Sequence, residues 1–499
     1  METNFFLTQL PILIVILPLF AGFFTLGIGY FNKKYCVPLA IVGMGLSAIF
    51  SIATLDRVIK YGPQRYFLSG WPAPFGIEYV VDHLNAIVLV LVATCSLLTL
   101  IFSLKSVEKE LKNQLSYFYT LFLFLVTGLL GITISGDAFN IYVLLEIAAL
   151  SSYGLLALGK GRSYLATFNY LIVGTIGACL YLLGVGFLLI KTGTLNMGDL
   201  AFEIESISYS SAIFIAFILM VVGMFVKMAF FPAHGWLANV YSLAPTAVGC
   251  LIAPLMTKVS VYVLARILFT VFSASYLLNA LYLSEIVLIL AVVAIAVGSF
   301  YALMQQNLRK LFCFLIVAEI GYMVGGLFLG NAAAFRGAIY HLIADGMMTL
   351  CLFMCAGAIY YQTGNLSLDS CKGLFKNMPI TMSVFTLAAF SMIGVPPTAG
   401  FFSKWFLISG SFYAGNYSFI IALLFSSLIN AILFFRIIEN AFYGSFESTK
   451  ALPTPKEAPL SMLIPMVIMA SLIVLWGLYS GQVIDVIIDP INPFIGAEQ

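Results

Sequence analysis

The sequence predicts an all-α polytopic membrane protein of about fourteen transmembrane helices, and three observations carry that prediction. The 499 residues are 62% hydrophobic and only 9% charged, whereas soluble domains carry about a quarter of their residues as charges. The apolar residues fall in runs of about 20 or more, the length needed to cross a hydrocarbon core. Two runs are too long for one plain span and carry proline near the middle, one at Pro232 and one at Pro396 and Pro397.

In order, the runs predict helices at 9–31, 36–55, 83–104, 116–134, 137–158, 164–190, 210–243, 246–270, 279–302, 309–330, 332–361, 378–412, 417–443 and 460–480. The N-terminal METNFF lacks the basic stretch of a cleaved signal, so the first run is expected to stay as a helix. Between the second and third helices, 56–82 holds Gly62-Pro63, Trp71-Pro72 and Pro74 and reads as an extended surface loop or hairpin. A polar loop at 444–459 precedes the last helix.

The broken seventh and twelfth helices lie five apart. Helices 4–8 and 9–13 then form two five-helix units, and an odd number of helices turns the second unit upside down. The expected organisation is 1–115 for the first three helices and loop, 116–270 and 279–443 for the two inverted units, and 444–499 for the polar loop and last helix. Broken helices free backbone groups that are tolerated at depth only beside protein or water. The transport site is therefore expected near the breaks.

Composition excludes several classes. A net charge of +2 without a basic arm gives no nucleic-acid surface. The eight cysteines are scattered through apolar runs; Cys351 and Cys355 are four apart but nothing completes a metal pattern, so all read as packing residues. No flavin, haem, iron–sulfur or nucleotide motif appears, so no cofactor and no covalent chemistry are assigned to this chain.

Lysine and arginine counts orient it. With the N-terminus outside, inner loops hold thirteen, including Lys160, Arg309 and Lys450, and the outer side holds six, including Arg266. That bias predicts both termini outside. The four of the 23 that remain are Lys227, Lys258, Lys404 and Arg436, inside helices.

Charges at membrane depth are costly and therefore point to function. Glu146 lies mid-helix and needs a cation to stay charged, and Lys227, five residues before Pro232, is its expected partner. Against this stands a static ion pair. His234 follows the break and reads either as a proton shuttle or as a cap of the second half-helix. Lys258 is too deep to snorkel. In the second unit Glu319 occupies in helix ten the place of Glu146 in helix five, His341 and Asp345 are four apart on one helix face, and Lys404 follows the second break. Arg436 and Glu439, three apart, read as a local pair, and Asp137 as a helix N-terminal partner.

The stretches KMAFFPAHGW at 227–236, APTAVGCLIAPLMTKVSVYVLAR after it, and GVPPTAGFFSKW at 394–405 resemble the antiporter-like subunits shared by respiratory complex I, Mrp-type cation/proton antiporters and membrane-bound group 4 hydrogenases. The resemblance covers about 80–440, and GDAFNIYVLLEI at 136–147 resembles the D-type branch of the Mrp subunits. It implies a fourteen-helix fold with two inverted five-helix units and a midplane line of charge. In that line Glu146 is the helix-five carboxylate, Lys227 its partner, Lys258 the central base, His341 its continuation and Lys404 the distal lysine, with His234 in the family's PxHxW pattern. Glu319, Asp345 and Thr349 depart from the family and make the second unit more acidic. They imply either an altered proton balance or a sodium site at Glu319, Asp345 and Thr349.

The expected function is proton translocation by a subunit of a multi-subunit redox-driven or cation/proton antiport complex in the cell membrane. Its partners would be other antiporter-like and small membrane subunits, with hydrogenase or iron–sulfur subunits supplying the drive. The alternatives are the D-type subunit of a stand-alone Mrp-type sodium/proton antiporter and, from another class, a solitary small-solute transporter.

Overall fold

A computed structural model describes residues 5–159, 161–207, 210–279, 281–444 and 455–495. Among them 13 helices are long and apolar enough to cross a membrane, and two shorter helices in line make a further crossing. They run α1 (Leu10–Phe31), α2 (Cys36–Tyr61), α3 (His83–Glu110), α4 (Leu115–Ile134), α5 (Ala138–Ala157), α6 (Ser163–Thr192), α7a (Ser211–Met228) with α7b (Leu237–Leu243), α8 (Thr246–Arg266), α9 (Leu281–Leu303), α10 (Leu308–Phe328), α11 (Ala332–Thr363), α12a (Pro379–Ile393) with α12b (Ala399–Tyr413), α13 (Tyr417–Tyr443) and α14 (Leu460–Leu478). Every expected helix is present, and both long runs are broken where their prolines fall. The loop between α2 and α3 holds the hairpin β1 (Gln64–Phe67) and β2 (Glu78–Val81), antiparallel with Gln64 opposite Val81. Lys160, Lys450 and most of the polar loop expected at 444–459 lie outside the described residues.

Lipid tails are as apolar as a protein core, so hydropathy alone does not separate central helices from peripheral ones. Burial does. The apolar length of α11 is wholly buried and those of α8 and α10 nearly so, while α1, α2, α6 and α9 keep broad apolar faces exposed. Helix α11, carrying His341 and Asp345, is therefore the axis of the bundle. At the rim, α6 and α7a meet backbone to backbone, and a Cβ on Gly223 would sit 2.7 Å from the Gly177 carbonyl oxygen. Small residues at such crossings let the helix backbones touch.

The helix ends are tied by charge. Asp137 caps α5 as expected, its carboxylate accepting from the Asn140 amide at 2.6 Å. Glu457 does the same for α12a, accepting from the Ile380 amide at 2.8 Å and the Thr381 hydroxyl at 2.6 Å. Two arginines counted above as loop charges are buried instead. Arg309 donates to the Ala244 carbonyl at 3.1 Å and the Thr246 hydroxyl at 2.5 Å, pinning the start of α10 to the α7b–α8 link. Arg266, at the end of α8, binds Asp82 through two 2.6 Å bonds. A positive charge near a helix end looks like a loop charge in sequence; here each guanidinium fork reaches a partner one helix away.

The Asp82 tie gives a pH prediction. Burial would raise the Asp82 carboxyl, but the Arg266 guanidinium outweighs it and holds the group below its ordinary value. A carboxylate whose folded pKa is depressed stabilises the fold above its unfolded value of about 3.9, and that contribution is lost as pH falls through the folded value. The unfolding temperature of the solubilised protein is expected to fall more steeply on acidification below about pH 4 than in Asp82→Asn. Identical acid slopes would remove this tie from the stability of the fold.

Candidate functional site

The first break opens just after Lys227. Ala229 turns into the left-handed region at φ 61°, ending α7a, and the carbonyl of Val226 accepts from the Trp236 indole at 3.3 Å. Trp236 is itself held by stacking on Tyr170, 4.4 Å between ring centres. The aromatic thus replaces a helical bond that the break removes. A cavity of about 400 Å³ reaches the break, lined by Pro232, Ala233, Gly235 and Trp236 together with Asn169 and Asn239.

Lys227 Nζ lies 3.4 Å from Glu146 Oε1, so the expected pair forms between α7a and α5. The lysine is buried, while the carboxylate side chain keeps 26% of its exposure. Lys258, in the middle of α8, meets Asp345 of α11 at 2.8 Å, with side-chain exposures of 1% and 0%. Asp345 also accepts from the Thr349 hydroxyl one turn further along, at 2.8 Å. The third contact joins α10 to α11: Glu319 Oε2 lies 2.7 Å from His341 Nε2, both fully buried. On its other side His341 Nδ1 lies 2.9 Å from Ser403 Oγ in α12b.

Lys404, the next residue, binds no carboxylate among the described ion pairs. Its ammonium donates to the Met392 carbonyl at 2.7 Å, the Ile393 carbonyl at 3.3 Å and the Ser427 hydroxyl at 3.1 Å. These carbonyls are the last of α12a, which ends at Gly394 with φ 97°. A lysine on one half of the broken helix is therefore bound to the exposed end of the other half, where the helix dipole favours a cation. Pro397 follows within this turn, and the two half-helices touch at Gly400, whose amide donates to the Ser391 hydroxyl at 3.1 Å. The ring of Tyr322 on α10 stands between the two bases, 5.3 Å from the His341 ring centre and 5.3 Å from Lys404 Nζ.

Most of the expected residues come together, but in pairings the sequence left open. Lys258 takes Asp345. His341 and Asp345 share a helix, yet each turns to a different neighbour, Glu319 and Lys258. The sodium site expected at Glu319, Asp345 and Thr349 does not assemble: Thr349 and Asp345 bond each other, while the two carboxylates face separate bases. No cluster of three or more His, Cys, Asp and Glu suited to a metal occurs among the described residues. His234 does not cap α7b, which starts behind Trp236; its ring stacks on Phe231, 5.3 Å between centres, and it joins none of the described ion pairs. Arg436 and Glu439 are exposed and form no described ion pair with each other. The sequence reasoning missed Ser403 and Tyr322, and only their spacing on helices carrying Lys404 and Glu319 could have signalled them.

Fourteen crossings, two of them broken, around buried acids and bases define an antiporter-like component of a multi-subunit membrane complex. Residues 135–430 match the family model of the NADH:quinone oxidoreductase/Mrp antiporter transmembrane region, and the chain belongs to that family. It is 39% identical over 501 residues to the N subunit of the NADH-quinone oxidoreductase of Desulforudis audaxviator, covering 97% of this chain and 99% of that protein. It is 30% identical over 488 residues to the D subunit of the Na(+)/H(+) antiporter of Bacillus subtilis, covering 95% and 97%. The fold superposes with a TM-score of 0.89 on a chain of the membrane-bound sulfane sulfur reductase, an archaeal respiratory membrane complex, at 25% identity and 98% coverage of both.

Proposed function

We propose that this chain moves protons through the membrane within a redox-driven or cation/proton antiport complex. The observation that carries the reading is the set of three acid–base contacts on neighbouring helices, Glu146–Lys227 with its carboxylate half-buried and Lys258–Asp345 and Glu319–His341 fully buried, followed by Lys404 at the second break. Buried ion pairs add little to stability, because desolvation consumes most of the attraction. Pairs that open and close instead change the proton affinity of each base in turn, and that passes a proton along the line.

Two inverted units, 116–270 and 279–443, fit this reading, with Glu146 and Glu319 on matching helices and the breaks of α7 and α12 in matching places. Because both buried acids of the second unit are taken by bases, the geometry favours protons over sodium there. The cell membrane, both termini outside, and no cofactor in this chain complete the proposal. A second reading, supported by the likeness to a D-type antiporter subunit, is the same role in a stand-alone Mrp-type sodium/proton antiporter. Co-purification with hydrogenase or iron–sulfur subunits separates the two.

The test is Glu146→Gln and Lys227→Ala in the assembled complex. Proton movement into vesicles should fall to background in both. The unfolding temperature should fall in both, since Lys227 is buried and removing one partner of a buried pair is destabilising, so transport is compared at matched expression. Normal transport at normal expression would sink the proposal.

A further inference from the structure

The contacts around His341 favour one tautomer, and the residue that selects it is Ser403. A hydroxyl has one hydrogen to donate. Ser403 Oγ lies 2.9 Å from the Gly400 carbonyl oxygen, which can only accept, and a hydrogen donated there is not available to His341. Toward His341 Nδ1, 2.9 Å away, Ser403 can then only accept, and Nδ1 carries a hydrogen. On the far side of the ring Nε2 lies 2.7 Å from Glu319 Oε2, too close for two bare lone pairs without one further hydrogen, although the two are not aligned as a hydrogen bond. Whether that hydrogen sits on nitrogen or on oxygen, ring and carboxyl together are neutral.

We infer that Ser403 is a positioning residue that keeps the Glu319–His341 pair in its proton-loaded, neutral state and links that state to the second helix break. The inference rests on the proton-translocation reading above. Rotating the Ser403 hydroxyl so that it donates to Nδ1 requires Nδ1 to have lost its hydrogen. What remains is Nε2–H facing a Glu319 carboxylate, one proton fewer and one negative charge more. The hydroxyl direction therefore differs between the loaded and the unloaded pair. The position of its alternative acceptor is set by the break: Gly400 opens α12b, and a Cβ there would sit 1.8 Å from the Ser391 oxygen of α12a. Gly400 and Ser403 share α12b, so a shift of that half-helix moves them together; one that carries Ser403 away from His341 takes the acceptor from Nδ1–H and favours the unloaded state.

The titratable and charged groups facing this ring are Glu319 and Tyr322 from α10 and Lys404 from α12b. Asp345 lies one turn along α11, with Lys258 of α8 bound to it. All of these remain in a Ser403 variant, so a change in its pH profile reports the hydroxyl.

The experiment uses the assembled complex in proteoliposomes. Ser403→Ala leaves Nδ1–H without its acceptor and disfavours the loaded pair, so the alkaline limb of the transport profile should move to lower pH by about one unit, a tenfold change in proton affinity. Ser403→Thr, which keeps the hydroxyl, should restore the wild-type profile. A profile unchanged in Ser403→Ala, with transport still lost in Lys227→Ala, overturns this inference and leaves the proton reading standing. If Lys227→Ala also transports normally, the proton reading itself fails. Infrared spectroscopy of wild-type complex with isotope-labelled histidine gives a second readout that needs no variant. A signature of Nδ1-protonated His341 supports the assignment, and Nε2-only protonation overturns it.

Discussion

Asp345→Asn is expected to stop proton movement and to lower stability by about 3–5 kcal/mol, the cost of removing one partner from a fully buried ion pair. Lys258 is 1% exposed and Asp345 is fully buried, so no water is at hand to take over the lost charge. Lys258→Ala should act in the same way, leaving Asp345 with Thr349 as its remaining described partner. Thermal unfolding of the solubilised complex reads the first effect, and proton uptake by vesicles the second. The two can be separated. Replacing both partners by apolar residues, Lys258→Met with Asp345→Val, removes the desolvation cost along with the attraction and should recover most of the stability. Transport should stay lost in the double variant. Single variants of wild-type stability, or a double variant that still pumps, would show that this pair is not part of the proton line.

Gly400→Ala should be as damaging for a steric reason. The added Cβ would lie 1.8 Å from a backbone oxygen of Ser391, which belongs to a helix end and has no rotamer to yield. The two halves of α12 must separate, at about 3 kcal/mol or more, the upper end of overpacking costs. Separation also draws the Lys404 ammonium off the carbonyls of Met392 and Ile393, so transport and assembly should fall together. Gly481→Ala is the control, since a Cβ there meets nothing within 4 Å. A Gly400→Ala complex of wild-type yield and activity would mean that the break is loose enough to absorb the methyl group.

The helices were legible because a bilayer demands about 20 apolar residues in a row and leaves few alternatives. The breaks were legible for a similar reason, since proline in an apolar run removes a helical bond. The Glu146–Lys227 pair could be named because Glu146 was the one mid-helix acid of the first unit and Lys227 stood beside the break. Glu319 and Asp345 of the second unit faced three candidate bases, His341 and Lys404 beside them and Lys258 of the first unit, and choosing among those pairings needs the rotation of each helix about its axis. That rotation is set by packing, so Asp345 could be read as a sodium ligand when it faces Lys258. Arg266 and Arg309 misled in the opposite direction, because sequence position near a span end does not distinguish a solvated arginine from one forked onto a neighbouring helix. Ser403 was silent because a serine in a helix bonds its own backbone as often as anything else; its significance rests on what stands on its other side.

Lys404 differs from the other bases in having carbonyl oxygens where they have carboxylates. Glu146–Lys227, Lys258–Asp345 and Glu319–His341 are each neutral as units, so a proton shuffled within one of them shifts charge by only a few ångströms. Neutralising or recharging Lys404 changes the net charge of the buried line by a whole unit. A full charge crossing the membrane is worth about 2.3 kcal/mol per 100 mV. The voltage sensitivity of the cycle should therefore be concentrated in the steps that change the charge of the line, at Lys404 in α12b and where the Glu319–His341 pair loads or unloads, with proton shuffling inside a pair nearly blind to the electric field.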